Sequence, residues 1–320
     1  GSNNTAIGYE SLQQNTTAAN NTALGYRSLK ANTTGHSNVA IGANTLTTNQ
    51  TGHSATAVGE NALKLATGNG NTALGADSLQ ATTTGHSNVA LGRSALYSNT
   101  TGDYNIAIGL NALTYSTTAN DNVAVGSQAG MQNTTGTKNV ALGFDALRNN
   151  TTAHNNTGLG YQALFANTTA GDNTAVGNLA LKNNTTALSN TAVGKSSLEL
   201  NTTGEQNTAV GYRSLRNNTT GKWNAAFGDD ALKSNTTASD NTAVGWHSLQ
   251  ANTTGSLNTG IGNRSLQANL TGSNNTGVGY FSLYSNTTGT ENVALGAGSL
   301  DANTAASGNT AVGYVSLSGN

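Results

Sequence analysis

Five histidines, His36, His53, His86, His154 and His247, are the side chains of this 320-residue chain best suited to ligate a metal or move a proton near neutral pH. His36 and His53 stand 17 residues apart in the same Thr-Gly-His-Ser context, so a structure with that period stacks their rings as neighbours. Two imidazoles can begin a metal site, but no carboxylate or third ligand accompanies this pair, and a solvated surface role is the expectation. No serine belongs to a Gly-x-Ser-x-Gly elbow. The glycines lack the strand-to-helix setting and the lysine of a phosphate loop. Cysteine is absent, which removes disulfides and thiolate ligands. The sequence therefore singles out no catalytic, metal-binding or cofactor-binding residue, and no particular ligand-binding one. The expectation is a protein that is not an enzyme and uses no cofactor.

Aromatic residues are the other group that could recognise a ligand. Tyr9, Tyr26, Phe144, Tyr161, Tyr212, Trp246, Tyr280 and Tyr314 all follow directly on a glycine of the same phrase, Asn-Thr-Ala-aliphatic-Gly or a close variant. Such rings stack on sugars or anchor interfaces. The plainer expectation is that they cover a turn or lie inside an oligomer. Asn-x-Thr sequons are frequent, but turn chemistry accounts for their repetition.

That phrase organises the whole chain. It occurs nineteen times, its closing glycines falling 17 residues apart from Gly8 to Gly313 with one gap of 16, between Gly59 and Gly75. A period this short cannot bury its own apolar face, so the sequence predicts one supersecondary unit per repeat stacked on its neighbours. No composition shift divides residues 1–320, which read as a single β-solenoid array. The final repeat ends without a polar cap, so the expectation is a segment of a longer protein or filament. With 13 basic residues scattered among 14 acidic ones, a net charge of -1 and 8% charged residues, the chain has no basic stripe for nucleic acid or anionic lipid. No apolar run is long enough to insert in a membrane.

The consensus repeat runs Asn-Thr-Ala-Val-Gly-x-x-Ser-Leu-x-x-Asn-Thr-Thr-Gly-x-x, numbered here from its first Asn. Positions 2 and 4 are β-branched or aliphatic and lie two apart, the period of a strand, so they share a face. Their hydrophobicity assigns that face to the interior. Position 3 is always Ala or Gly, as at Ala6, Ala107, Gly158, Gly260 and Gly277, which points to a seam closely approached by another backbone, or alternatively to a slim fold. Glycine at position 5 suits a turn of positive φ. Leucine at position 9 is a second core anchor, carried either on one helical turn or on a second strand. The Asn-Thr-Thr-Gly that follows is turn chemistry. Two exceptions test this reading. The residue missing between Leu63 and Gly68 falls in that turn, where loss leaves strand phase intact. At Gly130, the one repeat without the leucine, the following Met131 is expected to fill the gap. Stacked coils place equivalent Asn and Thr about 4.8 Å apart, which predicts amide ladders and a rod of about 90 Å.

Asn38-Val39-Ala40-Ile41-Gly42, Asn105-Ile106-Ala107-Ile108-Gly109 and Asn292-Val293-Ala294-Leu295-Gly296 resemble the head repeats of trimeric autotransporter adhesins of the Yersinia adhesin and haemagglutinin type. The resemblance covers the first five positions of each repeat. The family's usual repeat is shorter and lacks the regular Leu-x-x-Asn-Thr-Thr-Gly, and similar arrays occur in phage tail fibres and other large bacterial surface proteins. The resemblance implies a trimeric β-roll that binds host matrix or cell-surface glycans. The expected protein is thus an all-β parallel β-solenoid of 19 repeats, possessing at most one helical turn per coil. It is expected at the cell surface, outside the cell or on a virion, as a structural or adhesive fibre. Few large apolar anchors per coil favour homo-oligomerisation; the resemblance makes a trimer the first expectation, with an end-to-end filament as an alternative. A second alternative is ice binding through threonine ladders such as Thr17, Thr34 and Thr51.

Overall fold

The structure, a computed structural model, describes residues 1–319. Each repeat contributes one three-residue strand, from β1 (Thr5–Ile7) to β19 (Thr310–Val312), and together they form a 19-stranded parallel sheet. Pairing is in register, so Thr5, Ala6 and Ile7 face Thr22, Ala23 and Leu24. The 16-residue gap leaves this undisturbed: Thr56, Ala57 and Val58 of β4 (Thr56–Val58) face Thr72, Ala73 and Leu74 of β5 (Thr72–Leu74). The fold is a parallel β-solenoid. It divides into two compact units, Gly1–Gly158 and Leu159–Asn320.

The strand faces are the reverse of the sequence-based expectation. Position 3 is the interior one: Ala23, Ala40, Ala57, Ala209 and Ala243 are fully buried, while positions 2 and 4 on either side face outward. No second polypeptide is needed to cover the alanines, because the coil's own opposite wall does so. A Cβ added to Gly260 would lie 2.7 Å from Ser248 Oγ and 3.3 Å from Leu249 Cγ, so at this coil the wall formed by positions 8 and 9 must shift to admit even a methyl group. The Ser248 hydroxyl also donates to the Gly260 carbonyl at 2.9 Å, tying that wall to the sheet. The small residues record a narrow bore. The slim-fold alternative is the correct one, and the outward column of tiny side chains does not exist.

Around the leucine the chain forms neither a helix nor a second strand, and no helix occurs among the described residues. Instead positions 7 and 9 take left-handed dihedrals, as at Arg27 (φ 56°) and Leu29 (φ 48°). This alternation turns successive N–H groups toward opposite neighbours: Arg27 N–H donates to the Tyr9 carbonyl one coil back, and Leu29 N–H to the Thr45 carbonyl one coil on. Coil-to-coil hydrogen bonding thereby continues beyond the sheet. A left-handed leucine costs about 1–2 kcal/mol, which its complete burial, worth about 1.5–3 kcal/mol, offsets. Leu29, Leu46, Leu63, Leu79 and Leu96 form this column in the first unit, and Leu181, Leu198, Leu215, Leu232 and Leu249 in the second.

At Gly130 the backbone keeps the same dihedral (φ 58°), but the missing side chain leaves a cavity of about 10 Å³ between Leu113, Ala124 and Leu147. Met131 does not line it, contrary to the sequence-based expectation. Leu113 leans in instead, its Cδ2 2.9 Å from the place a Cβ would occupy.

Two asparagine ladders satisfy the polar interior. In the first, at position 1, Asn241 donates both its backbone N–H (3.0 Å) and its Nδ2 (3.2 Å) to Asn224 Oδ1. Asn224 Nδ2 in turn donates to the Ala238 carbonyl at 2.9 Å. In the second, at position 12, Asn235 Nδ2 donates to Asn218 Oδ1 (2.9 Å) and to that same Ala238 carbonyl (3.0 Å). Both ladders therefore meet at one backbone oxygen per coil. The second ladder is interrupted in the first unit, where Ala66, Thr82 and Ser116 replace asparagine. The buried atoms Asn99 Oδ1, Thr82 Oγ1 and Ser116 Oγ are left without partners. Ser116→Asn supplies an amide to Asn99 Oδ1 and an acceptor to the Asn133 amide. It is expected to raise stability by about 1 kcal/mol, measured as a higher urea midpoint at unchanged slope; an unchanged or lower midpoint contradicts the ladder account.

Candidate functional site

With the interior occupied by Ala, Ser, Leu and Asn, every side chain able to meet a partner lies on the outer surface. The outward strand positions build an aliphatic strip on each unit. Leu24, Leu74 and Leu142 in the first, and Phe227, Ile261 and Leu295 in the second, remain 39–48% exposed. Threonines at position 2 run beside them, as at Thr174, Thr191 and Thr208. Sequence reasoning placed this strip inside. The signal for its true position was the invariant small residue between its two columns.

The aromatic residues at position 6 lie on the outer surface, from Trp246 at 40% to Tyr314 at 84% exposed. Tyr9 and Tyr26 stack with ring centres 5.5 Å apart and planes within 9°, as expected of side chains one coil apart. Arginines at position 7 lie over several of them: Arg27 is 4.8 Å from the Tyr26 ring centre, Arg213 4.4 Å from Tyr212, and Arg264 4.7 Å from Trp246. These cation–π contacts hold the rings in place.

Charges pair between coils rather than collecting into a field. Glu10 takes Arg27 at 2.8 Å and Lys30 at 2.7 Å, and the lysine first, then the arginine, holds its carboxyl below the usual range. Asp230 is nearly buried and accepts from Arg213 Nη2 at 2.8 Å, with Lys233 and His247 nearby at 3.4 and 3.8 Å. Partial burial pushes the His247 imidazole below its ordinary value, although the neighbouring Asp230 pulls the other way.

The remaining candidate residues lie apart. His36 and His53 stack at 4.8 Å with planes within 2°, and each Nδ1 lies against the hydroxyl of the next serine. His86 faces Asp103 at 3.5 Å, and His154 Nδ1 accepts the Thr137 N–H at 2.9 Å. No three His, Asp or Glu side chains among the described residues are grouped to hold a metal ion. Thr17, Thr34 and Thr51 project from the turn, not from a strand face.

One concavity breaks the regular surface of the second unit. Ala297 and Gly298 occupy positions 6 and 7 of a coil whose neighbours carry Tyr280-Phe281 and Tyr314-Val315, and the missing side chains leave a cleft of about 290 Å³. Asp301 lines it.

These features define a parallel β-solenoid whose chemistry is that of surfaces and ladders. No family model matches the chain, and no curated protein matches it.

Proposed function

We propose that the chain is a non-enzymatic structural module of a fibre at a cell surface, outside the cell or on a virion, where it spaces or presents binding surfaces and associates with copies of itself. The observation that carries this reading is the aliphatic strip. Monomeric proteins rarely leave a contiguous apolar patch beyond a few hundred Å², and rungs such as Phe227, Ile261 and Leu295 repeat it at every coil. A second copy of the same strip is self-complementary, because both repeat at the same spacing. A trimer is favoured by the resemblance to adhesin heads, whose adhesive role toward matrix or glycans is part of the same reading.

Sedimentation equilibrium at about 10 μM tests the association. The chain is expected to run as an oligomer, and the double variant Phe227→Lys and Ile261→Lys as a monomer with an unchanged circular dichroism spectrum. A wild-type monomer at that concentration overturns self-association. Long particles in electron micrographs, growing with concentration, would point to end-to-end joining instead of lateral pairing.

A further inference from the structure

We infer that the cleft over Ala297 and Gly298 binds a quaternary ammonium group. The inference is independent of the fibre reading and stands on the cleft's own walls and charge. Where aromatic residues occupy position 6 in successive coils they stack face to face, as Tyr9 and Tyr26 do at 5.5 Å. Ala297 removes one ring from such a column, while Tyr280 and Tyr314 line the cleft from the coils on either side. Those two residues are two coils apart, about 9.6 Å at the spacing of paired strands. A cation midway between them lies about 5 Å from each ring centre, inside the range of about 6 Å over which a ring face attracts it. The cleft's volume of about 290 Å³ is that of a site for one small molecule and admits a trimethylammonium group.

Elsewhere the chain meets such rings with its own cations. Arg27, Arg213 and Arg264, all at position 7, lie 4.8, 4.4 and 4.7 Å from the ring centres of Tyr26, Tyr212 and Trp246. Around the cleft, position 7 is Phe281, Gly298 and Val315 in turn and supplies no cation. Residues 265–320 hold the carboxylates Glu291 and Asp301 and no lysine, arginine or histidine. The cleft therefore has aromatic walls and a negative charge with nothing in the neighbouring sequence to balance it. Asp301 lines the cleft, its Oδ2 3.9 Å from the point a Cβ on Gly298 would occupy, while its Oδ1 is closed off from solvent. The ligand need not touch either oxygen, because the charge is shared over the carboxylate and attracts across several ångströms where protein displaces water. That favours a quaternary ammonium over a primary one: it has no N–H to leave unpaired when it stands off from the carboxylate, and its methyl groups pack on the rings. Arg264 stands two coils before Gly298, about 9.6 Å along the stack, where salt screens its opposition. Gly298 keeps the slot open, since a Cβ there would already touch Val315 Cγ2 at 3.4 Å.

The test titrates the full chain with tetramethylammonium, with choline and with the uncharged tert-butyl analogue of choline, in which carbon replaces nitrogen, all observed by saturation-transfer NMR. Both cations are expected to bind saturably with dissociation constants on the order of 1 mM, and the analogue, equal in shape, about tenfold more weakly. Ala297→Tyr continues the aromatic column and fills the slot. It is expected to weaken choline binding by about tenfold or more while leaving the melting curve unchanged, since tyrosine occupies position 6 in several other coils. The isosteric Asp301→Asn, which keeps the shape but loses the charge, is expected to weaken choline by about threefold or more and to leave the analogue unaffected. Absence of saturable binding by either cation up to about 10 mM overturns the proposal. So does equal affinity for choline and its uncharged analogue, or undiminished choline affinity in either variant. The oligomer measurement above is independent, so either result leaves the other standing.

Discussion

Gly177→Ala is expected to destabilise the second unit by about 3–6 kcal/mol. Two causes add. The residue sits at φ 138°, a conformation essentially confined to glycine. Its added Cβ would also lie 2.6 Å from both the carbonyl carbon and the oxygen of Gly194, and 3.1 Å from Lys195 N. All three are backbone atoms, so no side-chain rotation relieves the overlap. The next coil must move, and Gly194 (φ 130°) makes the same approach to Gly211, so displacement of one coil is felt by the following one. Each strand touches only its sequence neighbours, and such arrays fail locally before they fail globally. Urea unfolding followed by circular dichroism should show a lowered midpoint or a second transition. Amide exchange should rise first near residues 177–195. A midpoint equal to that of Lys195→Ala, an exposed control one coil on, would remove the close-approach explanation.

Asn224→Ala is expected to cost about 2–4 kcal/mol. The asparagine is 1% exposed, and its Oδ1 takes two donors from Asn241 while its Nδ2 serves Ala238. Alanine leaves the Asn241 backbone N–H without a partner in a dry interior, a larger loss than the bonds alone. Asn224→Asp separates shape from hydrogen bonding. Its carboxylate keeps the acceptor but turns a second oxygen toward the carbonyl of Ala238, so burial and that oxygen raise its folded-state pKa above the unfolded value. By linkage the variant is then most stable below the unfolded pKa and loses stability as pH rises through the folded one. Melting temperatures between pH 4 and pH 7 should fall with pH for Asn224→Asp relative to Asn224→Ala. Parallel curves would mean the ladder position is solvated.

Much of the fold was legible because it rests on identity between repeats. The period, the in-register pairing, the asparagine ladders and the tolerance of the short turn before Gly68 all follow from residues recurring at fixed phase. Which strand face lies inside did not follow. Alternation states that Val39 and Ile41 share a side, but the choice of side depends on how close Ser28 and Leu29 come across the bore, a tertiary distance. Hydrophobicity then pointed the wrong way, since the interior holds methyls, leucines and amides while larger aliphatic groups stay outside. The arc around Leu29 misled for a related reason: residues with good helix propensity take left-handed dihedrals at positions 7 and 9 there, which aim the N–H groups of Arg27 and Leu29 at the adjacent coils. The cleft was hidden because it is made by absence. Ala297-Gly298 is an unremarkable pair until the rings on both sides are seen to continue past it.

The uniform register also governs how the gene can change. Excising residues 226–242 joins Ala225 to Ala243, and the fused strand meets Thr208, Ala209 and Val210 just as the original did. Recombination between two copies of the motif at equivalent positions yields a strand that meets its neighbours in the same register. Copy number can therefore drift in whole steps without a compensating substitution, and the length of the protein is inherited more loosely than its cross-section.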